Sequence, residues 1–300
     1  MIFLAVFALL LVQGVCATNP AHGGPPAVRI AIPIDADSPG TWSEAINGAP
    51  SVGIIILNPS NGPGQGASSN YAQLVGKAQA RGIGVLGYVF TEWADGKVSI
   101  QDAEVMIDHY YSWYHVDGIM LDEANDSCDA APLHFYSTLY SYIKSKPGPG
   151  TVMLNPGKAT GECYAAISDM LLTFESDYAR YLGAYVGANW TEKYPPSHFF
   201  HIVFDAPTVA EMQNCVSLAA TRGAGWVYVT DVNNSRGNPY SSLPSYFGQE
   251  LDYLGQPSNP VPPPSSAAVP VIQMPVMLIL GLTAAGSVLV VVARRKNGTD

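Results

Sequence analysis

GIMLDEAND, residues 118–126, sets Ile119, Met120 and Leu121 directly against two carboxylates, Asp122 and Glu123. A continuously apolar run of this kind reads as a strand covered on both faces. Two charges cannot follow it into a core unless they are paired or used. The stretch therefore marks a place where a buried strand surfaces, and the fold depends on whether other strands surface in the same way.

They do. Strand-like runs occur at VRIAIPID (28–35), VGIIILNP (52–59), GVLGYVF (84–90), GIMLDE (118–123), TVMLNPG (151–157), DMLLTFE (169–175), HFFHIVFD (198–205) and GWVYVTD (225–231). Nearly all finish in polar residues: Asp35, Asn58, Thr91-Glu92, Asp122-Glu123, Asn155, Glu175, Asp205 and Thr230-Asp231. Segments of helical period lie between them, among them YAQLVGKAQARG, SIQDAEVMIDHYYSWY, APLHFYSTLYSYIKSK and TVAEMQNCVSLAATRG, with a short piece at CYAAI and a last one at YFGQELDYLG. Two of these helices stop at Gly82 and Gly223, the usual place for a glycine. The alternation predicts an α/β fold, a single-domain (β/α)8 TIM barrel over residues 27–256. The competing architecture is an open doubly wound sheet, for which the chain offers no dinucleotide fingerprint. About 240 residues are enough for one large core.

In a barrel the polar strand ends share one face, where such folds carry their active sites. Asp122 and Glu175 end strands four and six, and alternate strands feed the same inward layer, so their side chains can face each other across the mouth. Two facing carboxylates suit glycoside hydrolysis, one donating a proton to the leaving oxygen and the other attacking or activating water. Adjacent carboxylates also raise one another's pKa. The candidate catalytic residues are Asp122, Glu123 and Glu175, with Glu175 as general acid/base, Asp122 as nucleophile and Glu123 tuning or sharing a role. Candidate substrate-binding residues are Asp35, Asn58, Tyr88, Asn155 and Asp231. The competing reading of a polar strand end is a helix cap or a turn, and it weighs least for the three catalytic candidates. Tyr88, Trp93, Tyr178, Tyr185, Trp190 and Tyr194 lie in or just beyond strand ends, as sugar platforms or as packing.

Other chemistries find no support. The histidines lack ligand spacing such as HExxH, so no metal and no other cofactor is expected. There is no GxSxG and no GxxxxGK[ST]. NGPGQG (61–66) reads as a tight loop lining the cleft. With 14 basic and 24 acidic residues the chain has a formal net charge of −10. That argues against nucleic acid as a partner, because phosphate binding needs a basic face.

The ends read as targeting segments. Residues 1–17 form an apolar run closing on small residues, a secretory signal peptide. Residues 257–270 form a proline-rich stalk. Residues 271–293 are a transmembrane helix followed by Arg294-Arg295-Lys296 in a cytosolic tail, 294–300. A removed GPI signal is the alternative. The chain is thus expected at the cell surface or in a secretory-pathway membrane, type I and single-pass, with the domain extracellular or lumenal. Sequons at Asn125, Asn189 and Asn233 are glycosylation candidates. Cys128 and Cys163 follow strands four and five on neighbouring loops of one face, which predicts a bridge. Cys215 lies within a helix and is expected free.

ILNPSNGPG (56–64), VLGYVFTEW (85–93), DGIMLDE (117–123), MLNPG (153–157) and TFES (173–176), in this order, resemble the spherulin-4 family, which includes glycoside hydrolase family 135. The resemblance implies a (β/α)8 barrel. It also implies an endo-acting α-1,4-N-acetylgalactosaminidase activity on galactosamine-containing exopolysaccharide, with Asp122, Glu123 and Glu175 at the essential acidic positions. One strand departs from the family pattern: Asp35 and Asp37 stand where the family carries tyrosines. If both face the cleft, a cationic, de-N-acetylated sugar is favoured; otherwise they shape the loop and cap the next helix. The alternative to an enzyme is a non-catalytic carbohydrate-binding surface or coat protein that keeps the cleft.

Overall fold

The computed structural model describes residues 28–35, 39–235 and 237–255. The expected signal peptide, stalk, transmembrane helix and cytosolic tail, and Asp37, fall outside the described residues. Among the described residues no helix is long and apolar enough to cross a membrane.

Eight strands form a closed barrel in chain order: β1 (Arg29–Ile34), β2 (Val52–Leu57), β3 (Gly84–Phe90), β4 (Gly118–Asp122), β5 (Thr151–Leu154), β6 (Met170–Asp177), β7 (Phe199–Phe204) and β8 (Trp226–Val229). All pairings are parallel, and β8 closes on β1 through Arg29 opposite Trp226 and Ile30 opposite Val227. The expected single α/β barrel is the observed fold. Every residue of β2 is buried, as a strand with the barrel interior on one face and helices on the other must be.

The outer layer holds α1 (Pro39–Asn47), α2 (Ser69–Ala80), α3 (Ile100–Tyr114), α4 (Ala130–Lys144), the short α5 (Tyr178–Gly183), α6 (Val209–Thr221) and α7 (Phe247–Gly255). Reciprocal capping boxes, Ser99 with Asp102 and Thr208 with Glu211, start α3 and α6. Gly82 and Gly223, at φ of 76° and 75°, end α2 and α6 as their sequence suggests. Between β5 and β6 the alternation is incomplete: CYAAI forms only a 3-10 helix, Glu162–Ile167. So short a segment gains too few hydrogen bonds to offset nucleation of an α-helix. A disulfide ties it instead. Cys128 and Cys163 are bridged with Cα atoms 6.0 Å apart, while Cys215 is free and buried in α6.

Helix α3 lies close against the barrel because β3 has no side chain where they touch. A Cβ at Gly87 would sit 2.4 Å from the ring of Tyr110. That tyrosine is fully buried, and its hydroxyl donates to the Leu57 carbonyl at 3.0 Å.

One core group is electrostatically costly. Glu250 of α7 is 1% exposed, and its Oε1 has no hydrogen-bond partner. Burial pushes its carboxyl up to about 8, so it is held neutral in the folded protein. The folded value exceeds the unfolded one, so stability is full below the ordinary glutamate range and falls as pH rises towards the folded value. The expected slope is about 1.4 kcal/mol per pH unit up to about pH 8. Glu250→Gln should flatten it, which thermal midpoints of both proteins between pH 5 and 8 will check.

Candidate active site

Strand periodicity builds the site. Met120 and Asp122 are two residues apart on β4 and share a face, as do Ile56 of β2 and Asn58 just beyond it. The apolar members, with Ile34 and Ile202, floor a cavity of about 130 Å³ at the C-terminal mouth of the barrel. Asp35, Asn58, Tyr88, Asn155, Glu175 and Tyr240 are polar residues that line it.

Asn155, just past β5, organises the two carboxylates. Its Oδ1 accepts from the Gly157 backbone N–H at 2.8 Å, which fixes the direction of the amide. Its Nδ2 then donates to Asp122 Oδ1 at 2.6 Å and to Glu175 Oε2 at 2.9 Å. Each carboxylate takes a second donor from a tyrosine. Tyr88 Oη donates to Asp122 Oδ2 at 2.6 Å, and Tyr240 Oη donates to Glu175 Oε1. Burial, followed by the neighbouring carboxylates, holds both phenols far above the ordinary tyrosine range, so they remain donors. The result is a chain Tyr88–Asp122–Asn155–Glu175–Tyr240 in which every carboxylate oxygen accepts a bond.

Asp122 is pushed up to about 7, first by burial and then by the charge of Glu175; hydrogen bonds from Tyr88 and Asn155 act in the opposite direction. A buried brace holds its backbone. The Thr91 hydroxyl donates to the carbonyls of Asp122 and Glu123 at 2.8 and 3.0 Å, and it meets the Tyr136 hydroxyl at 2.9 Å. Tyr136 also accepts the Asn125 N–H at 2.9 Å. On the other flank, His201 of β7 is fully buried between Tyr181 and Thr173, at 2.9 and 3.0 Å. Burial pushes it down to about 3, so it stays neutral and braces β6 below Glu175.

The structure sorts the sequence candidates. Asp122 and Glu175 come together, with Tyr88 and Asn155 as their donors. Asp35 lines the same cavity, its two oxygens accepting from Asn58 Nδ2 at 2.9 Å and Asn238 Nδ2 at 2.7 Å. Asn58 in turn accepts the Gly62 N–H at 3.0 Å, which folds the glycine-rich loop against the cleft. Glu123 does not line the cavity. Its left-handed backbone, φ 51°, turns it towards Glu92 and Lys97. Asp231 also stands apart, with both oxygens accepting the Ser245 N–H at 3.3 Å. Asn125 at the rim donates to the Trp93 carbonyl at 2.9 Å and accepts the Ser127 N–H at 2.7 Å. Asn189 is exposed, and Asn233 accepts the Ser235 N–H at 2.9 Å.

Tyr240 was absent from the sequence candidates. It sits in the polar loop after β8, and nothing local distinguishes it; only barrel closure carries it to Glu175. It also puts a tyrosine beside Asp35, whose N–H donates to the Tyr240 carbonyl at 3.2 Å. Among the described residues no cluster of three or more His, Cys, Asp or Glu side chains is arranged to hold a metal ion.

Comparison with known proteins supports the family and the barrel fold. Spherulin-4 of Physarum polycephalum is 32% identical over 236 residues, covering 74% of this chain and 69% of its own. Sph3 of Aspergillus clavatus, crystallised in complex with GalNAc, superposes with a TM-score of 0.67 at 23% identity, covering 77% of this chain and 98% of that one. The spore cortex-lytic enzyme SleL of Bacillus cereus shares the barrel more distantly, with a TM-score of 0.50, 9% identity, and coverage of 77% and 74%. The model of spherulation-specific family 4 matches residues 30–254, and the chain belongs to that family.

Proposed function

We propose that this chain is a glycoside hydrolase that cleaves an amino-sugar polysaccharide, with Asp122 and Glu175 as the working pair. The observation that carries the proposal is the Asn155 amide, which donates to both carboxylates at once. Their near oxygens can be no farther apart than those two bonds laid end to end. So close an approach of the near oxygens supports retention of configuration, which uses the more closely set of the two carboxyl geometries. Among the described residues no lysine or arginine lines the cavity to neutralise the pair.

Burial favours the proton on Asp122, which makes it the acid, and Glu175, which faces the cavity, is the second member of the pair. This assignment reverses the roles expected from sequence alone. A galactosamine-type substrate follows from family membership and from the GalNAc held by the Aspergillus clavatus neighbour. The carboxylate of Asp35 favours units whose amine is free. The leader and the C-terminal span are proposed to place the domain outside the cell or in a lumen, anchored to the membrane, with Asn125, Asn189 and Asn233 available for glycosylation.

The test is the pH profile of kcat/KM. Asp122 must be protonated to act as acid, so activity should fall as pH rises through about 7. The Tyr88 bond lowers the Asp122 value, so Tyr88→Phe should move that alkaline limb to higher pH. A limb that stays in place or moves down would remove Asp122 as the proton donor.

A further inference from the structure

We propose that Trp93 is a stacking platform for a sugar unit of the polymer beyond the one at the carboxylates; this rests on the glycosidase reading above. Trp93 is 47% exposed, the one aromatic among the exposed large apolar side chains of the described residues. It belongs to neither the core cluster nor any aromatic pair among those residues. A side chain this size ordinarily turns inward, where burial rewards it. Here it does not, and the backbone that carries it is unusual. Glu92, Trp93 and Ala94 all lie in the left-handed region, at φ of 47°, 53° and 54°. L-residues visit this region singly, as a rule, and three in succession need outside support.

The support comes from the segment that carries Asp122. The Trp93 N–H donates to the Glu123 carbonyl at 2.7 Å, and the Trp93 carbonyl accepts from Asn125 Nδ2 at 2.9 Å. The Ala94 N–H donates to the Thr91 carbonyl at 3.0 Å, and Thr91 is the buried residue that braces the Asp122 backbone. The backbone of Trp93 is therefore fixed relative to the segment that carries Asp122, while its side chain stays half exposed just beyond β3. Its flat apolar face matches the C–H face of a pyranose ring, and a rigid aromatic loses little entropy on contact. Trp93 does not line the cavity beside Glu175, so the ring it holds belongs to a further unit of the same chain. An extended cleft of this kind suits cleavage within a polymer.

The experiment compares wild type, Trp93→Ala and Trp93→Phe on partly N-acetylated α-1,4-galactosaminan and on the shortest oligomer the wild type cleaves. Trp93→Ala should lower the polymer-to-oligomer ratio of kcat/KM by about tenfold, through KM, and Trp93→Phe should restore most of it. An unchanged ratio, including equal losses on both substrates, would overturn the proposal. If wild type cleaves neither substrate, the glycosidase reading has failed, and calorimetric binding of the polymer then decides the platform. About tenfold weaker binding by Trp93→Ala would support it, and equal binding would overturn it.

Discussion

Asp122→Asn and Glu175→Gln should each cost at least about a hundredfold in kcat/KM on an amino-sugar polymer, while circular dichroism and thermal midpoint stay close to wild type. The loss is large because each substitution removes the only side-chain group that can carry the proton or the charge at its position. The fold is spared because Asp122 closes β4 and Glu175 lies near the C-terminal end of β6, outside the apolar core, and the amides that replace them can still meet Tyr88, Tyr240 and Asn155. Glu123→Gln should lose much less. Its neighbour's role does not extend to it, since the left-handed turn at Glu123 points it out of the cavity. Equal losses at Glu123 and Asp122 would mean that the turn rearranges when substrate binds.

Gly118→Ala should have the largest effect on stability. Gly118 opens β4 opposite Thr151, and an added Cβ would sit 2.0 Å from the Thr151 carbonyl oxygen. The obstacle is backbone, so no rotamer relieves it; the strands must separate and the β4–β5 ladder must open. The expected cost is at least about 3 kcal/mol, a fall in thermal midpoint of roughly 10 °C for a domain of this size. Gly76→Ala is the control. It lies within α2 with nothing within 4 Å of the added atom, so it should be neutral or slightly stabilising. A Gly118→Ala protein as stable as Gly76→Ala would contradict the β4–β5 register.

The strand starting at Gly118 also shows how far the sequence could be read. The apolar run GIML and its polar end predict a buried strand and a residue at the rim, because both follow from a period of two and from the cost of burying charge. Applied to all eight runs, the same reasoning gives the barrel and brings Asp35, Asn58, Tyr88, Asn155 and Glu175 to one cavity, with Asp122 held against it by Tyr88 and Asn155. The disulfide was legible for the same reason, since consecutive loops of one face are neighbours.

The rest depended on directions that a linear pattern does not encode. Asp122 and Glu123 look equivalent as a pair, yet a single backbone angle sends one inward and the other out. Asp231 occupies a strand end like the others, but a backbone N–H from the loop before α7 engages it. Tyr240 reaches Glu175 across 65 residues of chain, from a loop with no periodicity. Asn155 is prominent in the sequence, but its function as the bridge rests on which way its amide faces, and that is set by Gly157.

The most direct test of Asp122 and Glu175 as one close pair acting on a glycosidic bond is the anomeric configuration of the first-formed product. It can be followed by proton NMR during early turnover of partly N-acetylated α-1,4-galactosaminan. A carboxyl pair sharing one amide nitrogen predicts a product that first appears with the α configuration of the substrate and only later mutarotates. First appearance of the β anomer, or no new reducing end at all, would contradict it.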